Sequence, residues 1–299
     1  MVTSFAQLKE QVKGESQKAI AVAMAEDKDV LSALEKARSE GLTQAVLFGK
    51  AKNILKILHE IGADKNDYEI VAAGDENSAV KQAVNFVKEN RAQVLMKGMC
   101  STGTFLKAVL DKTDGLRSGK VISHLAVFES PEYHKLLLMS DAAMNIAPDL
   151  ATKITITENA VAAARRLGYD KCKVAIISAV EKVNPEGIPS SVDAAVIAKM
   201  ADRGQIKDAI VDGPLALDNA LSLQSCLVKG LTSPVGGDAD ICIVPNIETG
   251  NVFYKLLTVL GNAKVGGIIV GARTPIVLTS RADSEQSKFY SILTALKAG

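Results

Sequence analysis

The amino-acid sequence predicts an α/β protein built on mostly parallel sheets. Short apolar runs alternate with amphipathic helical stretches almost from end to end, and most of the runs are apolar at every position. A strand that is apolar on both faces needs helices on both sides. Parallel sheets supply them, because each crossover lays a helix on the sheet. At 299 residues the chain is long enough for two such units, each with its own core.

Each element is read from its pattern in turn. Residues 5–12 form an opening helix, and AIAVAMA (19–25) is a strand. Leu31, Leu34 and Ala37 recur at helical spacing within 29–40, and AVLFG (45–49) follows as a strand. The alternation continues through helix 53–61, strand EIVAAG, helix 78–89, strand QVLMKG and helix FLKAVLDK. Between residues 115 and 147 the rhythm changes: VISHLAVFES and HKLLLMSDA follow each other around Pro131 with no helix between them, as in a hairpin or a crossing between domains. Alternation resumes with helix 155–167, strand CKVAIISA, helix 191–202, strand DAIVDG, helix 217–229, strand DICIVPN, helix 250–260 and strand GGIIVGA. A final helix over 284–297 is too short to stand alone. The expected organisation is two α/β/α domains flanking a cleft, the first from residues 1–139 plus 276–299, the second from 140–275.

Composition narrows the function. Lys+Arg 35 against Asp+Glu 34 leaves no polybasic face, so no nucleic acid is expected and small molecules are the natural partners. Cys100, Cys172, Cys226 and Cys242 show no CxxC spacing and read as reduced thiols of a cytoplasmic protein. The N-terminus acquires charge within its first ten residues, unlike a signal peptide, and no apolar run approaches the ~20 residues of a membrane span, so no membrane association is expected.

Ligands of parallel sheets gather at the carboxyl ends of strands. Lys97, Ser101, Thr102 and Gly103 lie between strand QVLMKG and the next helix, where glycines, hydroxyls and free N–H groups make either a phosphate cradle or an ordinary capped turn. The spacing is neither GxxxxGK[ST] nor GxGxxG. Arg117 stands between Gly115 and Gly119, an anion-binding or merely solvated turn. Asn246 closes strand DICIVPN at the same expected sheet end. Ser280 and Arg281 put a hydroxyl and a guanidinium side by side just before the last helix, either as a site for an anion or as part of a capped turn. His59, His124 and His134 have no ligand or triad partner at a useful spacing, so no metal site and no hydrolase are expected. Cys100 lacks an evident activating base.

Several segments, in order over residues 94 to 290, resemble the phosphate acetyl/butyryl transferase family, most closely its phosphate butyryltransferase branch: LMKGMCSTGTFLKAVL, GLRSGKVISHLAVFE, LLLMSDAAMNIAPDL, IVDGPLALDNAL, GGDADICIVPNIETGNVFYKLL and GGIIVGARTPIVLTSRADS. The resemblance implies an isocitrate/isopropylmalate dehydrogenase-like architecture and exchange of an acyl group between CoA and orthophosphate, with acyl-CoA, CoA, phosphate and acyl phosphate as the partners. It also implies no cofactor, no metal, no covalent acyl-enzyme, a homo-oligomer, and coupling to an acyl-phosphate kinase. Ser280 matches the family's serine and Arg281 its phosphate-binding arginine, while Arg117 matches a second anion-binding arginine. The sequence departs from the pattern at Ser287, where the acetyltransferases carry an aspartate proposed as the base toward the CoA thiol, and Asp283 is left as a helix cap.

Acetyl transfer is the nearest alternative, since the apolar lining of an acyl pocket is not mapped by sequence and one methylene is worth only ~1–3 kcal/mol. A metal-dependent dehydrogenase would need clustered aspartates, which the sequence does not display, and a noncatalytic ligand-binding homologue would have no reason to keep Ser280 and Arg281.

Overall fold

The computed structural model describes residues 2–280 and 283–299. The chain begins with α1 (Phe5–Lys13), β1 (Lys18–Ala23), α2 (Lys28–Ser39), β2 (Thr43–Gly49), α3 (Ala51–Glu60), β3 (Glu69–Ala72), α4 (Glu76–Lys88), β4 (Val94–Lys97) and α5 (Thr102–Val109). It continues through β5 (Ser123–Glu129), β6 (Leu137–Ser140), α6 (Leu150–Arg166), β7 (Cys172–Ile177), α7 (Pro189–Asp202), β8 (Ala209–Leu215), α8 (Leu217–Leu221), α9 (Leu223–Lys229), β9 (Ile241–Ile243) and α10 (Ile247–Lys255). It ends with β10 (Lys264–Val270), β11 (Ile276–Val277) and α11 (Glu285–Ala298).

These elements form two compact units. The first comprises Phe5–Lys120 and Gly266–Gly299; the second comprises Val121–Val265 with the residues up to Ser4. These divisions differ from the edges expected at 139/140 and 275/276, and strand pairing explains the difference. β5 and β6 form an antiparallel pair, Ala126 opposite Met139, and β6 then runs parallel to β9, which commits both strands to the second unit. The end of β10 pairs antiparallel with β11, Ile269 opposite Ile276, within the first.

In the first unit the strand order is β3-β2-β1-β4-β11-β10, parallel except for β10. Ile20, Ala21, Val22 and Ala23 of β1 are fully buried, as a strand covered on both faces requires. Helix α4 packs against β1, β2 and α5, while α11 packs against α1 and α2. Phe5 stacks on Tyr290 with ring centroids 4.0 Å apart. Side chains such as Phe48 and Phe105, wholly buried here, each contribute roughly 1.5–3 kcal/mol of hydrophobic stabilisation. In the second unit the order is β5-β6-β9-β7-β8, with only β5–β6 antiparallel.

Three elements depart from the sequence pattern for local reasons. Helix α6 starts at Leu150 because Asp149 accepts the Thr152 N–H and caps it early. The single helix expected over 217–229 is broken at Ser222, whose extended backbone and side chain cap α9 afresh. Gly237 presses on that break: a Cβ on it would lie 2.5 Å from the Leu223 nitrogen. Helix α10 relaxes after Lys255 into a π turn, Leu256–Leu260. No helix among the described residues is long and apolar enough to cross a membrane.

Candidate active site

In the first unit, β4 and β11 are neighbouring parallel strands, Leu95 opposite Ile276 and Met96 opposite Val277. The segments that follow them leave the sheet at the same carboxyl edge. Lys97 ends β4 and Ser280 lies three residues beyond β11, so both follow adjacent strands, ~4.8 Å apart, at this edge.

The loop after β4 is fixed by its backbone. Gly98 donates its N–H to Ala23 O at 2.9 Å and Met99 donates to Met24 O at 2.7 Å. A Cβ on Gly98 would lie 2.1 Å from Met24 O, so only glycine fits at that crossing. Ser101 then caps α5, accepting the Thr104 N–H at 3.0 Å and donating its hydroxyl to Thr104 Oγ1 at 2.9 Å. Thr102 and Gly103 are exposed in the first turn, and their N–H groups have no partner among the described residues. A Cβ on Gly103 would meet nothing within 4 Å, so the space above this turn is open. Free donors at a helix N-terminus are what an anion requires.

Lys97 is only 4% exposed. Its Nζ donates to Gly98 O at 3.2 Å, and no carboxylate among the described residues pairs with it. A buried ammonium without a counter-ion is costly in the free protein, and an incoming anion relieves that cost. Glu76 is a feature that sequence reasoning missed. Its Oε1 accepts the Ser101 N–H at 2.9 Å, so it occupies the outermost donor of the loop and leaves those of Thr102 and Gly103 open. The only hint in the sequence is its place one residue after the cap Asp75.

Cys100 lies in this loop yet is wholly buried, its Sγ 3.9 Å from Ala23 O. Desolvation pushes its thiol up to about 11 against the opposing influence of Lys97. It is therefore protonated at neutral pH and no nucleophile. All four cysteines are free and buried.

Ser280 is exposed and held in a tight turn: its N–H donates to Asp283 Oδ2 at 2.7 Å, and the Asp283 N–H returns to Ser280 O at 3.1 Å. Asp283 is thus not the helix cap expected from sequence. Ser284 caps α11, accepting the Ser287 N–H at 3.2 Å, and Asp283 stands one residue outside, where it orders the serine turn. Ser287 also meets Ser284 Oγ at 3.2 Å, so the position at which a base was sought serves the cap. Arg281 lies outside the described residues.

The remaining two candidates are placed elsewhere. Arg117 forms an antiparallel bridge with Ala272, and its carbonyl accepts Arg273 Nε at 3.1 Å, while Ser118 donates to Gly271 O. Residues 271–275 precede β11, so this turn sits at the amino edge of the sheet, opposite Lys97 and Ser280; the Arg117 side chain is exposed. Asn246 belongs to the second unit. It follows β9 and caps α10, its Oδ1 accepting the N–H of Thr249 at 2.9 Å and its hydroxyl at 2.7 Å. His134 is paired with Asp238 at 2.9 Å, His124 is buried in β5 and His59 lies in the last turn of α3. Among the described residues no three His, Cys, Asp or Glu side chains are grouped as metal ligands would be.

Comparison with known proteins identifies the family. Residues 74–296 match the family described as phosphate acetyl/butaryl transferase. A phosphate butyryltransferase of Clostridium acetobutylicum is 48% identical over 100% of this chain and 99% of its own, and one of Clostridium beijerinckii is 44% identical over 99% and 97%. The crystal structure of a branched-chain phosphotransacylase from Enterococcus faecalis superposes with a TM-score of 0.84 at 38% identity, covering 94% of this chain and 99% of that one. The chain belongs to the phosphate acetyl/butyryl transferase family.

Proposed function

We infer that this enzyme is a phosphate butyryltransferase, moving a short acyl group between CoA and orthophosphate: butyryl-CoA and phosphate give butyryl phosphate and CoA. The observation that carries the reading is the shared carboxyl edge of β4 and β11, which is followed on one strand by a buried cation with no counter-ion among the described residues and open helix N–H groups, and on the other by an exposed serine. Phosphate attacks the thioester carbonyl, negative charge develops on its oxygen, and the thiolate leaves. Both reagents are anionic. Lys97, the first-turn donors of α5 and Arg281 offset their repulsion without a metal or other cofactor, and the Ser280 hydroxyl donates to the developing oxyanion or to the sulfur. A thiol with a pKa near ~8.5 leaves readily at neutral pH, so a strong general acid is not required.

The reading extends to a homo-oligomer working in the cytoplasm beside an acyl-phosphate kinase that consumes the product. Exposed Val252, Leu256, Val259 and Leu260 on α10 and its π turn support self-association, since i, i+4, i+7 spacing sets an apolar stripe on one face. The deciding measurement is phosphate-dependent thiol release from butyryl-CoA by the purified enzyme, with product butyryl phosphate trapped as its hydroxamate. Absence of both products in phosphate would remove the assignment.

A further inference from the structure

Met99 is out of place for a core residue. Its side chain is 44% exposed, although it lies in the middle of the loop that carries Lys97, Ser101, Thr102 and Gly103. In the first unit the other large apolar side chains comparably exposed among the described residues are Leu55 on α3 and Leu110 at the end of α5. Neither stands at the carboxyl edge of the sheet.

Looseness does not account for this exposure. The Met99 N–H is bonded to Met24 O at 2.7 Å, Gly98 on one side is locked under the Met24 carbonyl, and Ser101 on the other is bonded to both Glu76 and Thr104. Met24 itself is held at φ 55, in the left-handed region. The backbone therefore aims Met99 from a rigid base, and the side chain remains uncovered.

Building on the acyl-transfer reading above, we propose that Met99 is the residue that selects the acyl chain, contacting the short aliphatic tail of the thioester. The reaction imposes this neighbourhood. The acyl chain begins at the carbon that the phosphate held by the anion donors attacks, so any apolar surface that desolvates the chain has to lie beside those donors. Met99 lies between them in the chain, with Lys97 two residues before and Thr102 three residues after. An unbranched, polarizable thioether adapts to a flexible short aliphatic tail better than a β-branched or aromatic residue would. Each methylene that such a contact covers is worth enough to separate substrates by ~10- to 200-fold.

The test compares kcat/KM for acetyl-, propionyl-, butyryl- and isobutyryl-CoA with saturating phosphate in the wild type, Met99→Ala and the near-isosteric Met99→Gln, with Leu110→Ala as a surface control. The expected result is a fall of roughly tenfold in the butyryl-to-acetyl ratio for both Met99 variants, and no change for Leu110→Ala. A ratio within twofold of wild type in both variants overturns the role of Met99 and leaves the enzyme assignment standing. If the wild type releases no thiol from any of these thioesters, the assignment falls and the selector role falls with it.

Discussion

The Ser280 amide donates to the Asp283 carboxylate, 2.7 Å from N to Oδ2, three residues beyond the end of β11. An acid that looks like a spare base or a helix cap therefore works on the backbone that presents the serine hydroxyl. If Ser280 donates to the developing oxyanion, Ser280→Ala lowers kcat by about 10²-fold, the scale for one lost oxyanion donor, with a smaller change in KM. Asp283→Ala lowers kcat through loss of the turn, while Asp283→Asn, whose amide oxygen still accepts, restores most of it. Steady-state kinetics in both directions separate the two cases; equal activity in Asp283→Ala and Asp283→Asn would rule out the positioning role.

Lys97 carries a stability signature that an ordinary surface lysine lacks. It is buried, and among the described residues its ammonium donates to a carbonyl alone. Lys97→Met keeps the stem and removes the charge, so thermal unfolding should occur at the same temperature or higher. The same variant should raise the KM for phosphate or for the acyl-CoA at least tenfold. A lower melting temperature with unchanged KM values would make Lys97 a structural residue instead.

Cys100 should resist alkylation although it lies beside the proposed reagents. With its thiol pushed up to about 11, only about 10⁻³ of it is thiolate at pH 8, compared with roughly a quarter for an ordinary thiol. Because the pKa is raised, reactivity grows only as pH climbs toward that value. Incubation with iodoacetamide at pH 8 should leave activity and thiol count intact for hours, and Cys100→Ser should turn over at a rate comparable to wild type. Rapid inactivation protected by CoA would contradict both expectations.

The strands were legible in the sequence because runs such as AIAVAMA and QVLMKG are apolar on both faces, and Ile20, Ala21, Val22 and Ala23 of β1 are fully buried. The segment around Ser280 was legible as the stretch just before the last helix. Strand β11 was not, because two residues between Pro275 and Leu278 carry no periodicity. The direction of β10 was equally hidden, and it decides on which edge Arg117 lies: an antiparallel β10 carries residues 271–275, and Arg117 with them, to the amino edge. The break at Ser222 goes with Gly237, fifteen residues later in the chain, pressing on the Leu223 backbone.

At the amino edge of the second unit, Lys135 is an anchor. It is 3% exposed, lies 2.7 Å from Asp238 Oδ1 and 2.5 Å from Asp240 Oδ1, the latter without the alignment of a hydrogen bond, and Asp240 is itself buried. Ligands gather at the other edge, so this network concerns stability. Lys135→Ala strands the Asp240 carboxylate and should cost about 3–5 kcal/mol in urea unfolding at pH 7. Burial opposes the charge of Asp238, but hydrogen bonds from Lys135, Lys173 and His134 overcome it and hold its carboxyl well below the usual range. A depressed folded-state pKa means the stabilisation is complete above the unfolded value of ~3.9 and lost as pH falls through the folded one. The stability gap between wild type and Asp238→Asn should therefore be full at pH 6 and narrow steadily below pH 4; a gap that widened on acidification would reverse the sign.

The apolar stripe on α10 permits a sharper test of self-association than a size measurement alone. Phe253, Tyr254 and Leu257 turn inward onto the core around Phe128 and Ala142, which leaves Val252, Leu256, Val259 and Leu260, each at least half exposed, on the outer face. Together they offer a few hundred Å² of apolar surface, near the upper end of what a monomer ordinarily leaves in water. The paired charges Val259→Lys and Leu260→Lys should leave the core untouched, since both side chains point away from it. Sedimentation should then show the wild type as a dimer or larger and the double variant as a monomer that unfolds cooperatively, with a dependence of wild-type melting temperature on protein concentration that the variant loses. If the double variant sediments with the wild type and both melt independently of concentration, the stripe is not the contact and the oligomer must be held elsewhere.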